Sequence, residues 1–262
     1  MNKFVSVLIF AVLALVPLGT LRAQLAAAGD ASMGHVHLAV QDIEANKAFW
    51  AAMGGTPMKL GTTIEGVKFG EVQILLRKAD PSGPAIGSVV NHIGFHVPNV
   101  QQAMDRWKAA GLKTEAGRNA QQGFVYTPGD LVRVEILEDA ALAVPIAFHH
   151  VHLFVADATA MQAWYAKTFG AKPGKRGQFD TANVTGAELT FTKTDMPAVP
   201  SKGRAVDHIG FQIKNLEEFC KKLEAAGVKL DTPYAKRPEL GISLAFITDP
   251  WGTSIELNEN LR

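Results

Sequence analysis

The sequence predicts an α+β protein built from four βαβββ modules, and three observations lead to this prediction. Four segments share one plan: a strand with a histidine at its start alternates apolar and polar positions and is followed by a helix that glycine ends. The spacing of these strands is regular, because His35, His92, His150 and His208 lie 57, 58 and 58 residues apart. Three shorter alternating strands follow each helix. A plan repeated at a fixed period indicates a duplicated fold.

The larger repeat predicts two domains, at residues 34–139 and 148–260. Each domain consists of two modules. Cys220 is the only cysteine, so the chain can form no intramolecular disulfide and no cluster of thiolate ligands. We expect Cys220 to be a buried, small apolar residue of a helix.

Residues 1–23 are predicted to be a signal peptide. Lys3 supplies a positive charge, and an uncharged apolar stretch runs from Phe4 to Gly19. Small residues offer cleavage sites between 23 and 28. We therefore expect an exported protein, periplasmic or secreted, with no stable membrane association after cleavage. The near balance of 26 basic and 25 acidic residues gives no indication of nucleic acid binding.

The helices are delimited by capping residues. Asp or Asn precedes each helix, and glycine follows its last turn. The predicted helices are 43–53 after Asp42, 100–110 after Asn99, 158–168 after Asp157 and 216–226 after Asn215.

The polar faces of the strands carry the candidate metal ligands. In the second half, His150, His208 and Glu256 all point away from the apolar face. Two imidazoles and one carboxylate on rigid strands suit a divalent metal, and three ligands leave positions for substrate. Glu188 has the same orientation and is a candidate fourth ligand. The first half repeats the set as His35, His92 and Glu135, with Gln73 in the place of Glu188.

Other polar residues share these faces. His37, His96 and His152 are predicted at the rim of the cleft, with partners of the ligands or proton shuttles as the alternative. His149 falls on the apolar side and is excluded. Arg77 and Arg133 either hold a substrate carboxylate or are solvated charges at the sheet edge.

Three motifs in register resemble the vicinal oxygen chelate superfamily, which includes glyoxalase I, bleomycin resistance proteins, methylmalonyl-CoA epimerase and extradiol dioxygenases. A histidine stands seven residues before an aspartate, a His-x-Gly-Phe strand follows, and a turn of the form Asp-Pro-x-Gly-x-x-x-Glu-Leu ends the unit. These are His35 to Asp42 and His150 to Asp157, the strands at His92 and His208, and the turn from Asp249 to Leu257. The matching turn of the first half runs from Thr127 to Glu135 and is one residue longer than the segment from Asp249 to Glu256.

The resemblance implies two tandem glyoxalase-like domains, each a curled mixed sheet with helices outside. It also implies one divalent transition metal per site, whether iron, nickel, zinc, manganese or cobalt, which chelates two neighbouring oxygens of a small-molecule substrate. Because His150, Glu188, His208 and Glu256 resemble the ligand set of glyoxalase I, Glu188 and Glu256 are the candidate catalytic residues.

The resemblance favours proton transfer of the isomerase or lyase type. Extradiol dioxygenases carry a tyrosine where this chain has Phe246, and they carry a histidine on a strand where this chain has none near Glu188. Export would separate the protein from cytoplasmic glutathione and CoA esters. The alternatives are an extradiol-type dioxygenase and a non-catalytic small-molecule binding protein similar to the bleomycin resistance proteins.

The sequence leaves the pairing of the modules open. Modules one and two can share a sheet, as can three and four, or else module one can pair with four and two with three. The second arrangement joins His35 to His208 and Glu256. Monomer and homodimer are both compatible with the sequence.

Overall fold

A computed structural model describes residues 25–26, 30–196 and 198–261. The predicted signal peptide lies outside the described residues. Within the described part of the chain, no helix combines the length and the apolar character needed to cross a membrane.

Each of the four modules has the predicted order of one strand, one helix and three strands. Module one contains β1 (Ala31–Val40), α1 (Ile43–Met53), β2 (Thr56–Leu60), β3 (Ile64–Phe69) and β4 (Val72–Lys78). Module two contains β5 (Val90–Val97), α2 (Val100–Ala109), β6 (Lys113–Ala116), β7 (Gln122–Tyr126) and β8 (Arg133–Glu138). Module three contains β9 (Ala147–Val155), α3 (Ala158–Phe169), β10 (Lys172–Arg176), β11 (Phe179–Val184) and β12 (Ala187–Lys193). Module four contains β13 (Val206–Ile213), α4 (Leu216–Ala225), β14 (Leu230–Arg237), β15 (Ile242–Thr248) and β16 (Ser254–Glu259).

Three of the four predicted helix caps are confirmed. The side chains of Asp42, Asn99 and Asp157 each accept a hydrogen bond from a backbone N–H in the first turn, at 2.8 to 2.9 Å. The fourth prediction is wrong, because Asn215 has a left-handed backbone and its side chain makes no capping bond. The carboxylate of Glu259 instead accepts from the N–H of Asn215 at 3.0 Å.

The four modules form two eight-stranded mixed sheets, and each sheet joins modules from both halves of the chain. The first sheet has the strand order β14-β15-β16-β13-β1-β4-β3-β2, and the second has the order β10-β11-β12-β9-β5-β8-β7-β6. Module one therefore pairs with module four, and module two with module three. The central contacts are antiparallel, β1 with β13 and β5 with β9. Each of the predicted domains, 34–139 and 148–260, supplies strands to both sheets.

Modules one and two, and likewise modules three and four, lie in different sheets and are joined through the hydrophobic core. Trp50 on α1 lies 5.9 Å from Phe95 on β5, measured between ring centroids. Phe169 on α3 stacks on Phe211 of β13 at 4.6 Å. The apolar faces of all four histidine-bearing strands thus contribute to one core, and their polar faces are left for the two clefts. Cys220 is buried as predicted, and burial raises the pKa of its thiol to about 11.

Candidate metal centres

The first sheet brings together four residues from modules one and four, which we call cluster 1: His35, His37, His208 and Glu256. In the antiparallel pair of β1 and β13, His37 lies opposite His208 and His35 lies opposite Gly210. The parallel neighbour β16 places Glu256 beside Gly210. The register of three strands therefore directs one carboxylate and three imidazoles into the same cleft.

The second sheet repeats this arrangement in modules two and three, and we call it cluster 2: His92, Glu135, His150 and His152. His152 lies opposite His92, and His150 lies opposite Gly94. Glu135 lies beside Gly94 on the parallel strand β8. In each cluster the ligand atoms lie within 4.8 Å of one another.

One carboxylate oxygen is the centre of each cluster. Oε2 of Glu256 lies 3.0 Å from Nε2 of His208 and 3.2 Å from Nε2 of His35. Oε2 of Glu135 lies 3.0 Å from Nε2 of His150 and 3.3 Å from Nε2 of His92. All these side chains are buried.

The donor atoms fit a divalent metal. Several buried ring nitrogens have no hydrogen-bond partner among the described residues, among them Nε2 of His35, Nε2 of His150 and both ring nitrogens of His37. The side-chain oxygen of Gln73 is also buried without a hydrogen-bond partner among the described residues. Buried polar atoms are normally satisfied, so such a convergence of unpaired nitrogen and oxygen atoms indicates a missing partner. Imidazole and carboxylate are ligands that transition metals accept.

A glycine makes room for one histidine of each cluster. A Cβ atom on Gly94 would lie 2.0 Å from Cε1 of His150, and a Cβ atom on Gly210 would lie 2.0 Å from Cε1 of His35. The His-x-Gly-Phe strand therefore supplies one ligand and also the space for a ligand of the neighbouring strand.

A carboxamide holds the other oxygen of each glutamate, but it comes from different strands in the two clusters. In cluster 1, Asn258 on β16 donates to Oε1 of Glu256 at 2.8 Å. In cluster 2, Gln122 on β7 donates to Oε1 of Glu135. The two positions correspond across the hairpin, because Asn258 faces Leu244 while Gln122 faces Leu137.

The two clusters also differ in the residue that precedes the histidine of the His-x-Gly-Phe strand. Asp207 accepts from Nδ1 of His208 at 2.7 Å, whereas the amide oxygen of Asn91 faces Nδ1 of His92 at 2.9 Å. Burial opposes the charged imidazole of His208, but hydrogen bonds to Asp207 and Glu256 raise its pKa above the usual value. At His92 burial prevails and lowers the pKa to about 4.

The carboxylates of both clusters remain ionised over the ordinary pH range. Burial favours the neutral acid, yet the close imidazoles of the paired histidines hold the pKa of Glu256 and of Glu135 below the usual range. Each cluster is thus built around an ionised carboxylate.

The structure separates the predicted ligand set of the second half. His150 lies in the second sheet, whereas His208 and Glu256 lie in the first, because β9 pairs with β5 and not with β13. The set of the first half divides in the same way, with His35 in cluster 1 and His92 and Glu135 in cluster 2. The pairing that the sequence left open is therefore the crossed one.

Glu188 and Gln73 occupy equivalent positions beside the clusters. Glu188 lies beside His150 in the parallel register, and Gln73 lies beside His35. The carboxylate of Glu188 is bound to Nε of Arg176 at 2.8 Å and to the hydroxyl of Thr190 at 2.7 Å. For Glu188 to act as a ligand or a base, this ion pair has to open.

Three histidines differ from the expectation. His37 and His152 lie within the clusters rather than at the rim. Strict alternation predicts His149 on the apolar side, yet its Nδ1 lies 2.9 Å from Nδ1 of His150, and its ring stacks on His96 at 3.8 Å. The cause is a register shift between β5 and β9, where Gly94 pairs with His150 and Phe95 with Phe148.

The two arginines predicted at the cleft face have partners. Arg77 forms an ion pair with Asp207 at 3.2 Å, and Arg133 donates to Asn91 at 3.3 Å. Each arginine therefore contacts the residue that precedes a cluster histidine, His208 in cluster 1 and His92 in cluster 2.

The chain thus combines paired βαβββ modules with histidine–glutamate clusters on one face of each mixed sheet. Residues 147–257 match the family described as the Glyoxalase/Bleomycin resistance protein/Dioxygenase superfamily. This match identifies that part of the chain as a domain of the vicinal oxygen chelate superfamily and confirms the resemblance seen in the sequence.

Solved structures with this fold cover most of the chain. Glyoxalase I from Zea mays is 18% identical with a TM-score of 0.67, and the match covers 88% of this chain and 92% of that one. A putative dioxygenase from Bacillus subtilis subsp. subtilis str. 168 is 14% identical with a TM-score of 0.67, covering 92% of this chain and 87% of that one. At these identities the likeness shows the fold. No protein of curated function matches the sequence.

Proposed function

We propose that the chain is a divalent-metal enzyme that transfers a proton between neighbouring carbon atoms of a small, oxygen-rich substrate, an isomerase or lyase reaction. The observation that carries this proposal is the duplicated cluster, in which buried histidine nitrogens without hydrogen-bond partners converge on one carboxylate oxygen. The solved relatives with the same fold include glyoxalase I, which supports this class of reaction.

Cluster 1 would hold its ion through His35, His208 and Glu256, and cluster 2 through His92, His150 and Glu135. His37 and His152 are the candidates for a further position in each. A metal ion bound there would supply Lewis-acid stabilisation of negative charge on two neighbouring oxygens of the substrate. Iron, nickel, zinc, manganese and cobalt all accept this donor set.

Residues beside and around cluster 2 would perform the proton transfer. Glu188 lies beside His150 in the strand register, and we propose it as the base that removes a proton from the carbon next to the chelated oxygens. Gln122 keeps the carboxylate of Glu135 in place through Oε1, so Oε2 stays directed at the histidines.

We also propose that the signal peptide exports the enzyme.

The metal content of the purified, untagged protein tests this proposal. We expect about two equivalents of a transition metal by mass spectrometry, because the two clusters have the same donors. His208→Ala and His92→Ala should each lose about one equivalent, since ligand loss disables one cluster. Glu188→Gln is the matched control, and it should keep both. Absence of metal after reconstitution would contradict the proposal.

The reaction is tested on the metal-loaded protein. In deuterium oxide with hydroxyacetone, nuclear magnetic resonance should show deuterium entering the carbon positions beside the oxygens, and Glu188→Gln should slow this exchange about 100-fold or more. Dioxygen uptake with catechol would favour the dioxygenase instead. Binding of either compound without exchange or uptake would favour a binding protein.

A further inference from the structure

Apolar side chains fill the cleft of the first sheet. Leu60 and Leu75 from module one pack with Ile242 and Leu261 from module four, and all four are at most 7% exposed. Gln212 fixes Leu261 by accepting from its backbone N–H at 3.2 Å and donating to its carbonyl oxygen. The two arms of the first sheet thus meet through an apolar contact on the face that carries cluster 1.

Three positions that carry leucine in the first sheet are polar in the second. Arg176 corresponds to Leu60, because each residue ends its strand and pairs with the first residue of the next strand, Phe179 or Ile64. Thr190 follows Glu188 by two residues, as Leu75 follows Gln73. Gln122 stands where the first sheet has Leu244. The cleft over cluster 2 therefore carries hydrogen-bonding groups where the other cleft carries leucine.

Arg176 is a cationic group of this cleft. Its Nε donates to Glu188 at 2.8 Å and its Nη2 donates to Thr190 at 3.1 Å, while its side chain is 31% exposed. A guanidinium has five N–H donors in a planar fork, so these two contacts leave donors for a ligand. The ring of Phe179 lies 5.7 Å from the guanidinium carbon and limits its movement.

A second arginine adds to the positive charge. Arg133 lies on the same strand face as Glu135, with its guanidinium carbon 4.7 Å from the ring centroid of Phe124. Its Nε is buried and has no hydrogen-bond partner among the described residues. In the first sheet, by contrast, Ser254 takes the position of Arg133, and Arg77 is paired with Asp207.

We propose that the second cleft alone takes substrate, and that this substrate carries a carboxylate, which Arg176 binds, beside its two neighbouring oxygens. This inference rests on the proposed function, because the neighbouring oxygens are those that a metal in cluster 2 would chelate. Cluster 1 would hold a metal beneath the apolar residues and bind no substrate. Arginine is suited to this role because its fork matches the two oxygens of a carboxylate.

Two probes that differ by one carboxylate test the inference. Catechol has two neighbouring oxygens, and 3,4-dihydroxybenzoate has the same pair with a carboxylate added. We expect the zinc-loaded protein, titrated calorimetrically without dioxygen, to bind one 3,4-dihydroxybenzoate per chain. Its affinity should exceed that for catechol about tenfold, as one charge-assisted hydrogen bond provides.

Variants assign this preference to one arginine. Arg176→Gln should abolish the tenfold preference, and Arg176→Lys should retain part of it. Arg77→Gln is the matched control from the first sheet, and it should keep the full preference. Two equal sites per chain, no binding of either probe, an unchanged preference in Arg176→Gln or a lost preference in Arg77→Gln would each overturn the inference.

The zinc content of the same samples separates this inference from the function on which it rests. Two zinc ions per chain with any of those contrary binding results would overturn the carboxylate site and leave the metal enzyme standing. Protein that holds no zinc would overturn both.

Discussion

Replacing Gly94 by alanine is expected to remove the metal from cluster 2 and leave cluster 1 intact. The added Cβ would lie 2.0 Å from Cε1 of His150, so the imidazole has to leave its position or the two strands have to separate. Mutation of a group that supports a metal ligand can lower the metal affinity roughly 100-fold. Displacing the ligand itself should lower the metal affinity of cluster 2 by at least this factor. Overpacking should also lower the free energy of unfolding by about 1–3 kcal/mol.

Competition with a chromophoric chelator measures the metal affinity, and denaturant unfolding measures the stability. Gly34→Ala is the matched control, because its Cβ would meet no atom closer than 3.4 Å and the residue also lies on a strand that carries cluster histidines. Gly34→Ala should keep two equivalents of metal. A Gly94→Ala protein with both metals bound at unchanged affinity would show that His150 is not a ligand.

Replacing Asn258 by leucine is expected to weaken metal binding at cluster 1 by about 10- to 100-fold. The amide of Asn258 donates to Oε1 of Glu256, and without it this buried oxygen loses its partner and the carboxylate can rotate. Leucine is a suitable replacement, because cluster 2 has Leu137 at the corresponding position.

The second sheet suggests a rescue for this variant. Cluster 2 obtains its amide from Gln122, on the strand across the hairpin, at the position that Leu244 occupies in the first sheet. The double variant Leu244→Gln/Asn258→Leu should therefore regain most of the lost affinity in the same chelator competition. Equal affinities for the single and the double variant would mean that the amide does not position Glu256.

Local features of the fold could be predicted from the sequence. The helix 43–53 has the predicted bounds, and Asp42 caps it as expected, because a cap depends on residues three positions apart. The faces of the strands followed from alternation, which placed His35, His208 and Glu256 on the cleft side.

The pairing of the strands could not be predicted, because it depends on contacts between residues far apart in the chain. The same alternation serves both module pairings, so the sequence named six of the eight cluster residues as ligands but not which of them meet. The carboxamide that supports the glutamate comes from Asn258 in cluster 1 and from Gln122 in cluster 2. This correspondence can be recognised only when the register across each hairpin is known.

One missed residue had a signal in the sequence. His149 corresponds to Gly34 in module one, and glycine inside a strand often marks a bulge. Both strands have an irregular register at this point, so strict alternation fails there and His149 reaches His150. Comparing the two modules position by position would have predicted this irregularity.

The crossed pairing of metal ligands is the central claim, and the metal content of two double variants tests it most directly. His35→Ala/His208→Ala removes two ligands of cluster 1, so this protein should retain about one equivalent of metal by mass spectrometry. His150→Ala/His208→Ala removes one ligand from each cluster, so it should retain almost none. The reverse result, with no metal in the first variant and one equivalent in the second, would contradict the crossed clusters.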